Sequence, residues 1–196
     1  MTPPSKYDLE SEDGRELIKR AIGHEDRAFT ILMRRFKLPL YRFALRHVGD
    51  PDDAEDVVQE TFVAAHRNLA KYNPKFEAST WLYQITLNKC RDLGRKRKTR
   101  NFLLRMTPFL EEKVSQFSLP EDPESQLLAK REIQILEQQI AELPRALREP
   151  LVLCAIEDLS HKQAAKILGI SSKAVEMRVY RARKKLERFQ VSHDQT

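Results

Sequence analysis

Apolar residues in this chain recur every three to four positions and never settle into alternation. That regularity constrains the fold most. A spacing near 3.6 gathers side chains along one side of a helix, whereas a spacing of 2 gathers them on one face of a strand. Phe29, Leu32, Met33, Phe36, Leu40, Phe43 and Ala44 form a first stripe. Pro39 falls within it and is expected to interrupt and kink that helix, since proline lacks an amide hydrogen and its ring crowds the preceding turn. The chain breaks at Gly49-Asp50-Pro51, with Asp50 suited to an N-cap and Pro51 to a first turn. Ala54, Val57, Val58, Phe62, Ala65 and Leu69 make a second stripe, ending before Asn73-Pro74. A third helix is expected to start at Ser79 or Thr80 and run through WLYQITLNKCRDLGRKRK. With five glycines in 196 residues and no convincing strand, the expected class is all-α.

The pattern lapses once, at residues 106–126, MTPFLEEKVSQFSLPEDPESQ. Pro108, Pro120 and Pro123 and five acids against one lysine occur there with weak periodicity, so the segment reads as an extended or partly disordered linker. Helical spacing resumes with Leu128, Ile133, Leu136, Ile140 and Leu143. Two small helical domains, 10–100 and 127–190, joined by an acidic flexible linker over 101–126, are therefore expected.

A formal charge of +6 favours an acidic partner, nucleic acid ahead of an anionic membrane. No run of about 18 apolar residues exists, so membrane insertion is not expected. The N-terminal MTPPSKYDLESEDG lacks the basic-then-apolar pattern of a signal peptide. Cys90 and Cys154 make neither a ligand cluster nor a disulfide framework, and each lies on or beside an apolar stripe. The five histidines are scattered. A reducing, cytoplasmic setting is expected.

The strongest local pattern is HKQAAKILGISSKAVEMRVYRARKKL, residues 161–186. A helix-turn-helix needs a small residue where its helices touch, a residue tolerating positive φ in the turn, and an apolar residue locking the second helix. Ala165, Gly169 and Val175 stand at those places, with Ile167, Leu168, Ile170 and Val179 as interior. The second helix would present Lys173, Glu176, Met177, Arg178, Tyr180 and Arg181 to a groove, with Arg183, Lys184 and Lys185 for phosphates. The competing reading is a helical hairpin with a solvated basic face.

Two further stretches carry charge. RKRKTR, residues 95–100, has five basic side chains in six positions. It follows a helix that interleaves Trp81, Tyr83, Asn88 and Arg91 with apolar residues, and aromatic faces beside cations suit unpaired bases. Trp81, Leu82 and Ile85 are equally suited to a core. DPDDAEDVVQETF, residues 50–62, holds six acids and no base. It lacks the glycine and terminal glutamate of a calcium loop, and no nucleophile accompanies it. The helix dipole favours Asp52 and Asp53. It does not reach Asp56 or Glu60, which a basic protein surface would suit.

The succession of GDPDDAEDVVQETFVAAHRNLAKYNP, FEASTWLYQITLNKCRDLGRKRK, the acidic linker and ELPRALREPLVLCAIEDLSHKQAAKILGISSKAVEMRVYRARKKL closely resembles the extracytoplasmic-function sigma factors, the minimal promoter-specificity subunits of bacterial RNA polymerase. The likeness runs from about residue 15 to 188. It implies that Asp53, Asp56, Gln59 and Glu60 dock on the clamp coiled coil of core RNA polymerase, whose flap is a second contact. It implies that Lys75 to Asp92 recognise and melt the minus-ten element. Phe76, Glu77, Ala78 and Ser79 would capture a flipped base beside Lys75, with Trp81, Asn88, Arg91, Arg95 and Lys96 on the separating strands. Unstacking a base costs a few kcal/mol, so a preformed pocket is needed. The helix after Gly169 would read the minus-thirty-five element through Lys173, Glu176, Met177, Arg178, Tyr180, Arg181 and Arg183. The linker would thread towards the active centre, and an anti-sigma factor would regulate the whole. No catalytic residue, cofactor or metal is implied. Three positions depart from the common pattern: Gln84 stands where arginine is frequent, Thr86 where alanine is, and Gln163 where many relatives have glutamate.

Two other functions compete. A stand-alone helix-turn-helix regulator explains residues 161–186 and leaves the acidic and aromatic–basic helices unexplained. A metal-dependent nucleic-acid enzyme would instead use the carboxylates of 50–62.

Overall fold

A computed structural model describes residues 12–105 and 127–193; among them are eight α-helices and no strand. The chain divides into two compact units, within residues 1–113 and 114–196. The proposed linker stretch 106–126 lies outside the described residues.

The first unit contains α1 (Gly14–Ile22), α2 (Asp26–Val48), α3 (Pro51–Arg67), a short 3-10 turn (Leu69–Lys71) and α4 (Ala78–Arg105). Helix α2 is central: α1, α3 and α4 all pack on it, and α4 also meets α3 and α1. Leu17, Ile18, Leu32, Leu40, Phe43 and Leu82 are fully buried at these junctions, each contributing roughly 1.5–3 kcal/mol by leaving water. The Phe43 and Tyr83 rings meet edge-on at 5.0 Å across α2 and α4. Asp50 caps α3 as expected, its carboxylate accepting the Asp53 amide at 3.0 Å, and Pro51 opens the helix.

Three local expectations change. Pro39 sits inside α2 rather than dividing it. Met33, placed on the apolar stripe, is 39% exposed. Helix α4 starts at Ala78 and runs to Arg105, so residues 101–105, assigned to the linker, are helical; no breaker intervenes before Pro108.

The second unit contains α5 (Leu127–Glu142), α6 (Arg145–Leu151), a wide π turn (Val152–Ile156), α7 (His161–Leu168) and α8 (Ser172–His193). Helix α8 packs against α5, α6 and α7. In the π turn the Glu157 amide reaches back to the Val152 carbonyl at 3.0 Å. There Leu151, Val152 and Leu153 are all buried in succession. Glu149 is buried too, and accepts from Arg145 Nε at 2.5 Å one turn earlier. Leu136, expected in the apolar face of α5, is exposed, while Ile140 and Leu143 are buried.

Candidate nucleic-acid and protein interfaces

The acidic residues of α3 separate into two groups. Asp53 is half-buried and ion-paired with Arg97 of α4, whose guanidinium also donates to the Val48 carbonyl at 3.2 Å. Asp53 thus ties α3 to α4. Asp56, Gln59 and Glu60 are exposed. Lys89 of α4 donates to Glu60 at 2.9 Å. That hydrogen bond holds the Glu60 carboxyl below its ordinary range, against slight burial and helped by the charges of Lys89 and Lys96. The carboxylates of Asp53 and Glu60 are therefore spoken for by separate cations. Among the described residues no three His, Cys, Asp or Glu side chains gather to hold a metal ion.

Beside Gln59 lies a feature that periodicity did not signal. An open groove of about 640 Å³ runs between α2 and α3, floored by Phe29, Met33, Val58, Phe62 and Val63. Arg34, Lys37 and Arg67 stand on its rim. Val63 is 49% exposed there. Met33 is exposed beside it, while Phe29, Val58 and Phe62 are buried beneath. A stripe at helical spacing reports which side of α2 is apolar, and cannot say where the partner helix stops covering it.

Helix α4 presents two sides away from the core. Lys89 and Lys96, one heptad apart, lie near α3 and Glu60. Trp81, Gln84, Asn88, Arg91 and Arg95 follow at steps of three and four, which aligns them along another side. Asn88, Arg95 and Lys96 are exposed, while Trp81, Gln84 and Arg91 are half-buried. Arg95 pairs with Asp92. Thus the basic run is not uniformly solvated: Arg97 turns inward and Lys98 stays exposed. Thr86, where alanine is frequent, is buried with its hydroxyl donating to the Leu82 carbonyl at 2.9 Å, so the extra oxygen is satisfied within the helix.

The loop before α4, with the first two residues of that helix, brings Lys75, Phe76, Glu77, Ala78 and Ser79 together. Lys75 is exposed, Phe76, Glu77 and Ser79 half-buried, and Ala78 buried. The Lys75 amide donates to the Asn73 side chain at 3.0 Å and the Phe76 amide to the Asn73 carbonyl at 3.1 Å, closing a tight turn. Tyr72 and Arg15, absent from the sequence expectations, both contact this loop. The Tyr72 hydroxyl donates to the Phe76 carbonyl, and Arg15 of α1 pairs with Glu77 at 3.1 Å.

In the second unit the helix-turn-helix is built as its residues require. Ser160 caps α7 in a reciprocal box: its hydroxyl accepts the Gln163 amide, and Gln163 Oε1 accepts the Ser160 amide at 2.9 Å. Glutamine fills that role as well as glutamate, which explains the departure at 163. Gly169 adopts the left-handed conformation, φ 70°, and its amide closes on the Ala165 carbonyl at 2.9 Å. Val175, Val179 and Ala182 are buried.

On the opposite side of α8 stand Lys173, Met177, Tyr180 and Arg181, all exposed. Glu176 and Arg183 are exposed on one flank; Arg178 is half-buried on the other. Lys173 and Glu176 bind each other, at 3.0 and 3.1 Å. Cys154 lies half-buried nearby, its thiol pushed up by burial, and Cys90 is buried. Neither surrounding favours a reactive thiolate. Among the described residues no helix is long and apolar enough to cross a membrane.

Residues 32–100 match the family Sigma-70 region 2, and residues 133–186 match Sigma-70, region 4. RNA polymerase sigma factor CnrH of Cupriavidus metallidurans is 39% identical over 180 residues, spanning 88% of this chain and 91% of that protein. The ECF RNA polymerase sigma factor SigW of Bacillus subtilis is 31% identical, spanning 87% and 93%. The solved structure of CnrH in complex with the cytosolic domain of CnrY is similar at a TM-score of 0.69 and 32% identity, covering 92% of this chain and 99% of that one.

Proposed function

Because the chain belongs to the extracytoplasmic-function group of sigma-70 RNA polymerase sigma factors, we propose that it opens promoters with one polymerase-facing surface and two DNA-facing ones. As a sigma factor it binds core RNA polymerase and directs promoter-specific initiation. Asp56, Gln59 and Glu60 meet the clamp coiled coil, and the apolar groove beside Gln59 extends that contact; their exposure supports this. Asp53 contributes through Arg97, by fixing α3 against α4. The second unit rests on the flap.

The loop Lys75, Phe76, Glu77, Ala78 and Ser79 receives a flipped minus-ten base. Trp81, Asn88 and Arg91 hold the strands apart, while Arg95 and Lys96 contact phosphates. Helix α8 enters the major groove of the minus-thirty-five element, with Lys173, Glu176, Met177, Tyr180 and Arg181 at base edges and Arg178 and Arg183 at the backbone. An anti-sigma factor silences the protein by covering these faces. The CnrH structure, solved with the cytosolic domain of CnrY, supports a protein partner of that kind. The protein works in the cytoplasm and carries out no catalytic step of its own.

One observation carries this reading. The exposed acids of α3 and the aromatic–polar stripe of α4 are fastened to each other by the Glu60–Lys89 and Asp53–Arg97 pairs, so a helix that suits polymerase is rigidly linked to one that suits DNA. Run-off transcription with purified core enzyme over a genomic promoter library tests it. Promoter-dependent transcripts should appear, and Asp56→Lys should weaken core binding by about tenfold or more. A chain that forms no complex with core and activates no promoter would sink the proposal.

A further inference from the structure

The loop that receives the base is held from two sides by residues outside it. On one side is Tyr72. Its ring is buried against Trp81, centroids 5.2 Å apart, and its hydroxyl donates to the Phe76 carbonyl. Burial pushes that phenol up to about 12, so it remains a donor throughout the neutral range. On the other side is α1. Arg15 bridges Asp13 at 3.0 Å and Glu77 at 3.1 Å. A Cβ on Gly14 would lie 2.8 Å from the Ala78 Cβ, so this end of α1 abuts the first residue of α4. The same end is anchored to the body of the unit. Arg35 of α2 donates to the Glu12 carbonyl at 2.7 Å, and Arg20 pairs with the Glu12 carboxylate at 2.5 Å.

A short loop left to itself samples many shapes, and ordering it upon binding subtracts from affinity. A base pulled from its stack needs a receiving surface that is already formed. We propose that Tyr72 and Arg15 are positioning residues that hold the base-receiving loop, Lys75 to Ser79, in its working shape before DNA arrives. Their role rests on that loop being the base receiver. Tyr72 fixes the backbone at Phe76. Arg15 fixes the side chain of Glu77 and offsets its negative charge, which would otherwise face an incoming phosphate chain.

The test uses the full chain with core polymerase, on a promoter found by run-off transcription and labelled with 2-aminopurine beside the captured base. Tyr72→Phe, which removes one hydroxyl, should slow opening roughly five- to tenfold. Arg15→Ala should slow it roughly two- to fivefold, and Arg15→Lys should restore most of the rate. Both impaired variants should relax base preference at the captured position while core affinity stays at the wild-type value. A purely structural role would instead lower core affinity and leave base preference intact, and that result overturns the proposal. If Tyr72→Phe fails to fold, Arg15→Ala, altering an exposed side chain, carries the test alone. Phe76→Ala separates the two layers. Slow opening in Phe76→Ala with wild-type behaviour in the other variants overturns the positioning roles alone; wild-type behaviour in all three overturns the base-receiving role of the loop as well.

Discussion

Arg97 belongs by sequence to the basic run 95–100 within α4, yet its guanidinium turns back to Asp53 at the start of the acidic helix α3. Each stretch of charge therefore contributes one member to an internal tie. Asp53 is thereby withdrawn from the outward charge of α3, while Asp52, Glu55, Asp56 and Glu60 stay exposed.

Asp53 and Asp56 should accordingly behave differently. Asp53→Asn strips the partner from Arg97 in a setting that is partly screened, with side-chain exposures of 39% for Arg97 and 24% for Asp53. It should lower stability by about 1 kcal/mol. Asp56→Asn should leave stability unchanged within about 0.5 kcal/mol and weaken core binding. Urea denaturation beside a core-polymerase titration checks both; equal effects in the two assays would contradict the division.

Gly169 isolates backbone strain from crowding. Its φ is 70°, and a Cβ there would meet nothing within 4 Å. Gly169→Ala should thus cost about 1–2 kcal/mol through the left-handed conformation alone, and Gly169→Asn less. Denaturation followed by a probe in the second unit reads the difference.

Lys173 and Glu176 bind each other in the free protein, and in the proposed promoter complex they would exchange that contact for base edges. A carboxylate at 176 accepts from cytosine, whereas an amide pairs with adenine. Glu176→Gln should therefore change preference at a single minus-thirty-five position, by roughly 1–3 kcal/mol. Arg183→Ala should weaken all sequences alike. Holoenzyme binding to a set of singly substituted promoters distinguishes these patterns.

Tyr72 gives the first unit an alkaline weakness. Its folded pKa, about 12, lies above its ordinary 10.0, so the unfolded chain ionises first. The resulting stabilisation is complete below pH 10 and disappears as pH rises towards 12, a loss on the order of 2 kcal/mol. Tyr72→Phe should be less stable at neutral pH and show a flatter slope across that window. Denaturation of both proteins from pH 9 to 12 measures the difference.

How much of this was legible beforehand depends on distance along the chain. Asp50 and Gly169 act on neighbours a few residues away, and local chemistry announces them. The buried members of the apolar stripes follow from the period of the helix. Met33 and Leu136 do not, because a period identifies a side and says nothing of whether another helix covers it. The Asp53–Arg97 pair is not legible for a related reason: each member belongs to a charged run that looks solvated until the fold brings the runs together. Tyr72 stands within the stretch ending KYNP and Arg15 at the edge of the likeness, but neither has a motif role of its own, and their contacts to the loop at 76 and 77 exist in the folded chain alone.

The wide turn at Val152–Ile156 is equivalent to one residue spliced into an otherwise regular helix. The wider winding there absorbs the extra residue, which a regular helix would have met by turning everything beyond it through about 100°. In lineages descended from this protein, side chains along the turn should vary more freely than its length, because a second inserted residue would exceed what the turn absorbs and re-aim α7 and α8, the helix proposed to read the promoter.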